Sequence, residues 1–250
     1  MDLDPTRRFS ARVDDYSRYR PSYPAEVTAL LARDCSLTAD SRIADIGCGT
    51  GLLAELFLRL GCEVCGVEPN ADMRHAAERL LAGEARFRTV EGRAEATHLA
   101  DTSVDFVTAG QAFHWFDPAR ARTEFRRILQ PHGWLVLVWN ERAPANGGFQ
   151  ADYDDMVRRY APEERRIRED AIDCVFGGRV WRLEQFPNRQ QLDRAGLEGR
   201  LSSSSYAPLP GTPEQTLMRE ALGRLFEQYQ SGGQVTLRYE TSVYFGQIAV

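Results

Sequence analysis

Asp45, Gly47, Gly49 and Gly51 stand at alternate positions, and a carboxylate, Glu68, follows seventeen residues after the last of them. Glycines at this spacing permit positive φ and a backbone approach to a ligand that a Cβ would block. In open α/β sheets a ligand lies at the carboxyl ends of neighbouring strands, and an acid on the second strand holds a ribose. The spacing differs from the dinucleotide fingerprint, whose third glycine would fall where this chain has Leu52. A tight strand-to-helix turn without a ligand would use the same glycines.

A second group of chemistry-bearing residues, Gln111, His114 and Trp115, follows the fourth predicted strand. An imidazole titrates near neutrality, so His114 suits a base for a phenol or hydroxyl nucleophile. A carboxylate nucleophile needs no base; there His114 would only orient it, and a purely structural histidine remains an alternative. His75, His98 and His132 fall on a helix, a loop and a turn with no shared ligand spacing, so no metal site is expected.

The elements that must position these residues follow from hydrophobic period. Ile43, Ala44 and Ile46 form the apolar run of a covered strand. Leu53, Leu56, Phe57 and Leu60 then follow helical spacing to a stop at Gly61, before a second strand that ends in Glu68. Asn70 is placed to cap a helix with Met73, Ala76, Ala77, Leu80 and Leu81 inward. Residues 86–91 alternate like a third strand, 92–95 form a turn, and 104–109 form the fourth strand. Asp117 and Pro118 read as N-cap and first residue of a helix with Ala121, Phe125, Ile128 and Leu129 inward. Residues 134–139 are wholly apolar, which predicts a fifth strand covered on both faces. Strands alternating with helices in this way spell a parallel, doubly wound sheet.

The remainder reads as additions to that sheet. The first helix, opened by Pro24, carries Val27, Leu30 and Leu31 on one face. Residues 141–179 are expected to form a helical insertion over the carboxyl edge of the sheet. Residues 181–187 suggest a sixth strand, 202–206 a polar turn, and 235–248 a last strand. Residues 214–229 form an amphipathic helix with Leu217, Met218, Ala221, Leu222, Leu225 and Phe226 inward. One domain over 1–250 is expected: 1–40 N-terminal lid and first helix, 41–140 core, 141–179 insertion, 180–250 C-terminal strands and helix.

Composition narrows the function classes. A chain of 250 residues can bury one sizeable core. Its net charge of −5 argues against broad binding to a phosphate backbone, which needs a basic face. All 31 basic residues are arginine, which excludes a phosphate-loop or Schiff-base lysine. The five cysteines, Cys35, Cys48, Cys62, Cys65 and Cys174, form no paired framework. Cys62 and Cys65 fall on opposite faces of a strand, so they are expected to be buried, reduced thiols and not a metal or redox pair. Without a signal-peptide core or membrane-length apolar run, a cytoplasmic protein is expected.

Taken together, Asp45-x-Gly47-x-Gly49-x-Gly51 followed by Glu68 resembles the class I S-adenosylmethionine (SAM) methyltransferases. Glu68-Pro69-Asn70, the run from Gln111 to Phe116, and Trp139-Asn140-Glu141-Arg142 resemble a small-molecule group that includes trans-aconitate methyltransferase. The resemblance implies a Rossmann-like, doubly wound, mostly parallel seven-stranded α/β sheet in the order 3-2-1-4-5-7-6, with the seventh strand antiparallel. It also implies SAM as cofactor and S-adenosylhomocysteine (SAH) as product.

Carried over by position, Asp45, Gly47, Cys48, Gly49, Gly51, Pro69 and Met73 would surround SAM, with Glu68 on its ribose. The helix start after Gly51 would favour the SAM carboxylate. Ala94 and Glu95 would approach the adenine, where the family commonly has an acid in place of Arg93; Glu95 serves equally well as a helix-start carboxylate. Gln111 and Ala112 would lie near the methyl. The aromatic N-terminal segment is either a strap packed on the surface or a lid, with Tyr16 and Arg20 on the cofactor and Tyr19 on the acceptor. His114, Trp115, Trp139, Asn140 and Arg142 complete the expected acceptor site. The partner implied is a small-molecule acceptor methylated at oxygen, with no nucleic acid or membrane, in a monomer or homodimer. The alternatives are a SAM-binding protein without transferase activity and a macromolecular methyltransferase.

Overall fold

A computed structural model describes residues 17–160, 168–204, 207–208 and 211–248. The chain forms α1 (Glu26–Cys35), β1 (Arg42–Ile46), α2 (Leu52–Leu58), β2 (Glu63–Val67), α3 (Ala71–Leu80) and β3 (Phe87–Val90). It continues through β4 (Val104–Gly110), a 3₁₀ turn (Phe113–Trp115), α4 (Pro118–Ile128) and β5 (Leu129–Arg142). The C-terminal part comprises α5 (Gly148–Tyr160), α6 (Glu169–Phe176), β6 (Trp181–Leu192), α7 (Arg194–Ser202), α8 (Pro213–Tyr229) and β7 (Val235–Gln247).

The seven strands form one sheet in the order β3-β2-β1-β4-β5-β7-β6. The first five are mutually parallel, and β7 runs antiparallel to both β5 and β6. This is the order the resemblance implies. β1 lies between β2 and β4, so the glycine turn after it opens between two neighbouring carboxyl ends.

Both faces of the sheet are covered at its central strands, as the unbroken apolar run of β5 requires. Val136 and Val138 pack with Val27 and Leu30 of α1 and Leu53 and Phe57 of α2. Leu135 and Leu137 point the other way, towards Phe125 of α4 and Val175 of α6. Cys62 and Cys65 divide between the same two cores. A third apolar cluster joins α5, α7 and α8 to Leu237 and Tyr239 near the start of β7. Tyr239 pairs with Arg142 at the end of β5, so this cluster stands beyond the carboxyl edge of the parallel strands.

Local signals set the element ends. The Asn70 side chain accepts the Met73 N–H at 3.0 Å, and Asp117 accepts those of Ala119 and Arg120 at 3.1 Å. Other expectations need correction. Leu60, Leu80 and Leu217 are 40%, 58% and 51% exposed, because each helix's apolar stripe outruns the surface it packs on. Among the described residues of the predicted insertion, only α5 joins the edge cluster; α6 lies against α4 on the sheet face. The sixth strand runs on to Leu192, paired throughout with β7. Cys174 is exposed, unlike the other four thiols.

Candidate functional site

The site is built first by the turn between β1 and α2. Gly47, Gly49 and Gly51 take φ values of 66°, 58° and 88°, the left-handed region where a side chain is strained. The Gly47 and Cys48 N–H groups donate to the Val67 carbonyl at 2.8 and 3.3 Å, which binds the turn to the end of β2. Beneath it, Cys48 is buried with its Sγ 2.7 Å from where a Cβ on Gly66 would stand. Burial raises the Cys48 thiol well above its usual range, so it stays protonated.

Two carboxylates stand at this turn. Glu68 is 8% exposed; its Oε2 accepts the Gly49 N–H at 3.0 Å and its Oε1 the Asn70 N–H at 2.9 Å. Burial raises its pKa, opposed by those two bonds. Asp45 is fully buried. Its Oδ1 accepts the Thr108 hydroxyl at 3.0 Å, and its Oδ2 has no hydrogen-bond partner. Burial pushes the Asp45 carboxyl up to about 7 against the Thr108 bond, and the Glu68 charge adds to the rise.

A cleft runs across the carboxyl ends of β2, β1 and β4. Gly47 and Gly49 line its middle, and Glu68, Pro69 and Met73 line one side. Arg93, Ala94 and Glu95 close that side, with Glu95 Oε1 also accepting the Asp117 N–H at 2.8 Å. Gly110, Gln111, Ala112, Trp115 and Phe116 form the other side. Gln111 is a non-glycine residue at φ 56°, a conformation that clusters at functional sites. Its Nε2 donates to the Asn140 carbonyl at 3.0 Å, while its Oε1 is buried without a hydrogen-bond partner.

Of the expected cofactor residues, the cleft therefore brings together Gly47, Gly49, Glu68, Pro69, Met73, Ala94, Glu95, Gln111 and Ala112. Asp45, Cys48 and Gly51 shape the turn without lining the cleft. Tyr16 lies outside the described residues. Arg20 points to α7, where its Nη2 donates to the Ser203 carbonyl at 2.8 Å. Arg93, Gly110 and Phe116 line the cleft without having been expected as binding residues. Gly110 carries the one signal that could have found it, a glycine at a strand's carboxyl end.

The expected acceptor residues divide differently. Trp115 lines the cleft, but His114 does not. The His114 ring lies 4.8 Å from Trp115 and 5.1 Å from Trp139, with both nitrogens buried. Trp139 belongs to the core on the α4 face. Asn140 is a structural junction. Its Oδ1 accepts the Thr241 hydroxyl at 2.5 Å and the Asn188 amide at 3.3 Å, and its Nδ2 donates to the Ser22 carbonyl at 3.4 Å. Arg142 is ion-paired with Asp154 and lies over the Tyr153 ring. The Tyr19 ring fills a notch at Gly199, where a Cβ would fall 2.1 Å from it.

Among the described residues no cluster of three or more His, Cys, Asp or Glu is arranged for a metal, and no helix is long and apolar enough to cross a membrane.

Comparison with known proteins agrees with this geometry. A family described as a methyltransferase domain matches residues 44–137. An uncharacterized methyltransferase of Mycobacterium bovis is 40% identical over 56% of this chain and 54% of its own; this chain spans about half the length of that relative. A solved structure described as a type II methyltransferase from Anaeromyxobacter dehalogenans superposes with a TM-score of 0.70 at 20% identity, over 92% of this chain and 99% of that one. The [4+2]-cyclase SpnF shares the fold with a TM-score of 0.55 at 18% identity, over 90% and 82%. A methyltransferase-like protein of Schizosaccharomyces pombe is 33% identical over 95% of this chain and 94% of its own. With the domain match over the glycine turn and sheet, that near full-length similarity shows that the chain belongs to the methyltransferase family.

Proposed function

We propose that the protein is a SAM-dependent methyltransferase that methylates a small-molecule acceptor at oxygen. One observation carries the cofactor reading: a single cleft is lined by Glu68, a buried carboxylate, and by Gln111, whose amide oxygen is buried without a hydrogen-bond partner. The first would accept the ribose hydroxyls of SAM, and the second its ammonium. When bound, SAM supplies a methyl group on a sulfonium, open to in-line displacement.

This chain's residues bind and orient. Glu68, already fixed by two backbone N–H groups, keeps lone pairs for the ribose hydroxyls. The Gln111 Oε1 is suited to the ammonium. Asp45 sets a negative potential beneath the turn when ionised. Trp115 and Phe116 offer aromatic surface beside the methyl end and exclude water there. Holding a nucleophile in line supplies roughly 7–11 kcal/mol of the barrier, so no metal or covalent intermediate is required.

The resemblance to the trans-aconitate group supports a small-molecule oxygen acceptor. The pairing of Arg142 with Asp154 and of Arg20 with the Ser203 carbonyl keeps the proposal from extending to a polycarboxylate. The net charge of −5 favours a small molecule over nucleic acid. The same reading takes the protein as cytoplasmic and as a monomer or homodimer. A cyclase on this fold is a reminder that fold alone does not specify chemistry. Calorimetry with SAM, SAH and NAD, followed by detection of SAH release with hydroxyl acceptors, tests the proposal. NAD binding without SAM binding would overturn the cofactor. SAM binding without SAH release on any acceptor would favour a SAM-binding protein.

A further inference from the structure

We propose that Tyr23 is a positioning residue for the amino-acid arm of SAM, acting through Gly110; this rests on the cofactor reading above. Gly110 ends β4 and lines the cleft beside Gln111. It has no left-handed φ that would demand glycine. Space demands it instead. A Cβ on Gly110 would stand 2.5 Å from the Tyr23 Oη and 3.1 Å from its Cζ, with Leu53 Cδ2 also at 3.1 Å. The phenol is therefore seated directly on the backbone of the strand end.

Tyr23 is held there from several sides. The Ser22 carbonyl accepts the Asn188 amide at 2.7 Å and the Asn140 amide at 3.4 Å. The Tyr19 carbonyl accepts the Gln190 amide at 3.1 Å. Asn140 in turn accepts Gln111 through its carbonyl. One residue of β5 thus ties down both the segment carrying Tyr23 and the side chain whose buried oxygen awaits a donor. A shift of Gly110 displaces Gln111, its covalent neighbour, and with it the oxygen suited to the ammonium. The adenosine side, at Glu68 and Met73, lies across β1 and is not part of this contact.

Two ligands separate the ends of the cleft. SAH carries the amino-acid arm; 5′-methylthioadenosine has the same adenosine and a thioether but no arm. Titration calorimetry of the full chain with both is expected to show that Gly110→Ala weakens SAH roughly tenfold, the scale of one hydrogen bond to a charged group, with 5′-methylthioadenosine little changed. Adding Tyr23→Phe removes the closest atom and should restore most of the SAH affinity. Should Gly110→Ala fail to fold, Tyr23→Ala decides: it should weaken SAH and spare 5′-methylthioadenosine. Unchanged SAH affinity in the deciding variant, equal losses for both ligands, or no rescue by Tyr23→Phe would each overturn the inference. Wild-type protein that binds no SAH would instead overturn the cofactor reading on which it rests.

Discussion

The Gly49 N–H donates to Glu68 Oε2 at 3.0 Å, joining the glycine turn to the acid after β2. The Asn70 N–H holds the other oxygen at 2.9 Å. The carboxylate is thus oriented before any ligand arrives, so binding need not meet the cost of ordering it.

Glu68→Ala is expected to weaken SAM by about 1.5–3 kcal/mol, the range for hydrogen bonds to a charged group. Glu68→Gln should also lose affinity. Its amide nitrogen must face the Gly49 or the Asn70 N–H, donor against donor. Calorimetry and melting curves check both. A glutamine variant that binds SAM as wild type would show that these backbone bonds do not fix the carboxylate.

Gly49→Val should abolish SAM binding, since a β-branched residue at φ 58° is strained and fills the middle of the cleft. A folded variant, verified by circular dichroism, with unchanged SAM affinity would refute this.

Asp45 makes both binding and stability depend on pH. Its carboxyl titrates at about 7 in the folded chain, above the ordinary 3.8. The folded state therefore holds the proton more tightly than the unfolded chain. This stabilisation is fully present below the unfolded value and lost as pH rises through the folded one. A bound cation favours the ionised form, so SAM affinity should rise as pH rises through the same range. Asp45→Asn should flatten that affinity profile and reduce the loss of unliganded melting temperature between acid and neutral pH. Calorimetry of both proteins across the range tests it, the ligand's own titration being common to both. Parallel profiles would sink the assignment.

Arg142 is expected to act in the fold and not on the acceptor. Arg142→Ala and Asp154→Ala should each lower the melting temperature, because each breaks an ion pair between two largely buried groups. The double variant should lose less than the sum of the two. Additive losses, or an acceptor KM raised by Arg142→Ala at unchanged stability, would return Arg142 to the acceptor site.

The sequence by itself determined the features whose cause is local. Alternate glycines need left-handed φ whatever surrounds them, Asn70 and Asp117 cap the residues next to them, and a wholly apolar fifth strand can only be buried on both faces. Tertiary structure alone decided what each long polar side chain would meet. Asn140 and Arg142 follow the predicted fifth strand, 134–139, just as acceptor-binding residues would, but β5 runs on through both, Asn140 is engaged by Thr241, 101 positions away, and Arg142 by Asp154 on α5. The inward set of a helix depends likewise on how far its neighbour extends, which is why Leu80 and Leu217 are exposed. Gly110 shows the limit most plainly. Its lack of a side chain is visible in the sequence, but the reason for it is the phenol of Tyr23, brought to β4 by contacts among distant strands. Such contacts depend on packing in three dimensions, and no short-range pattern encodes them.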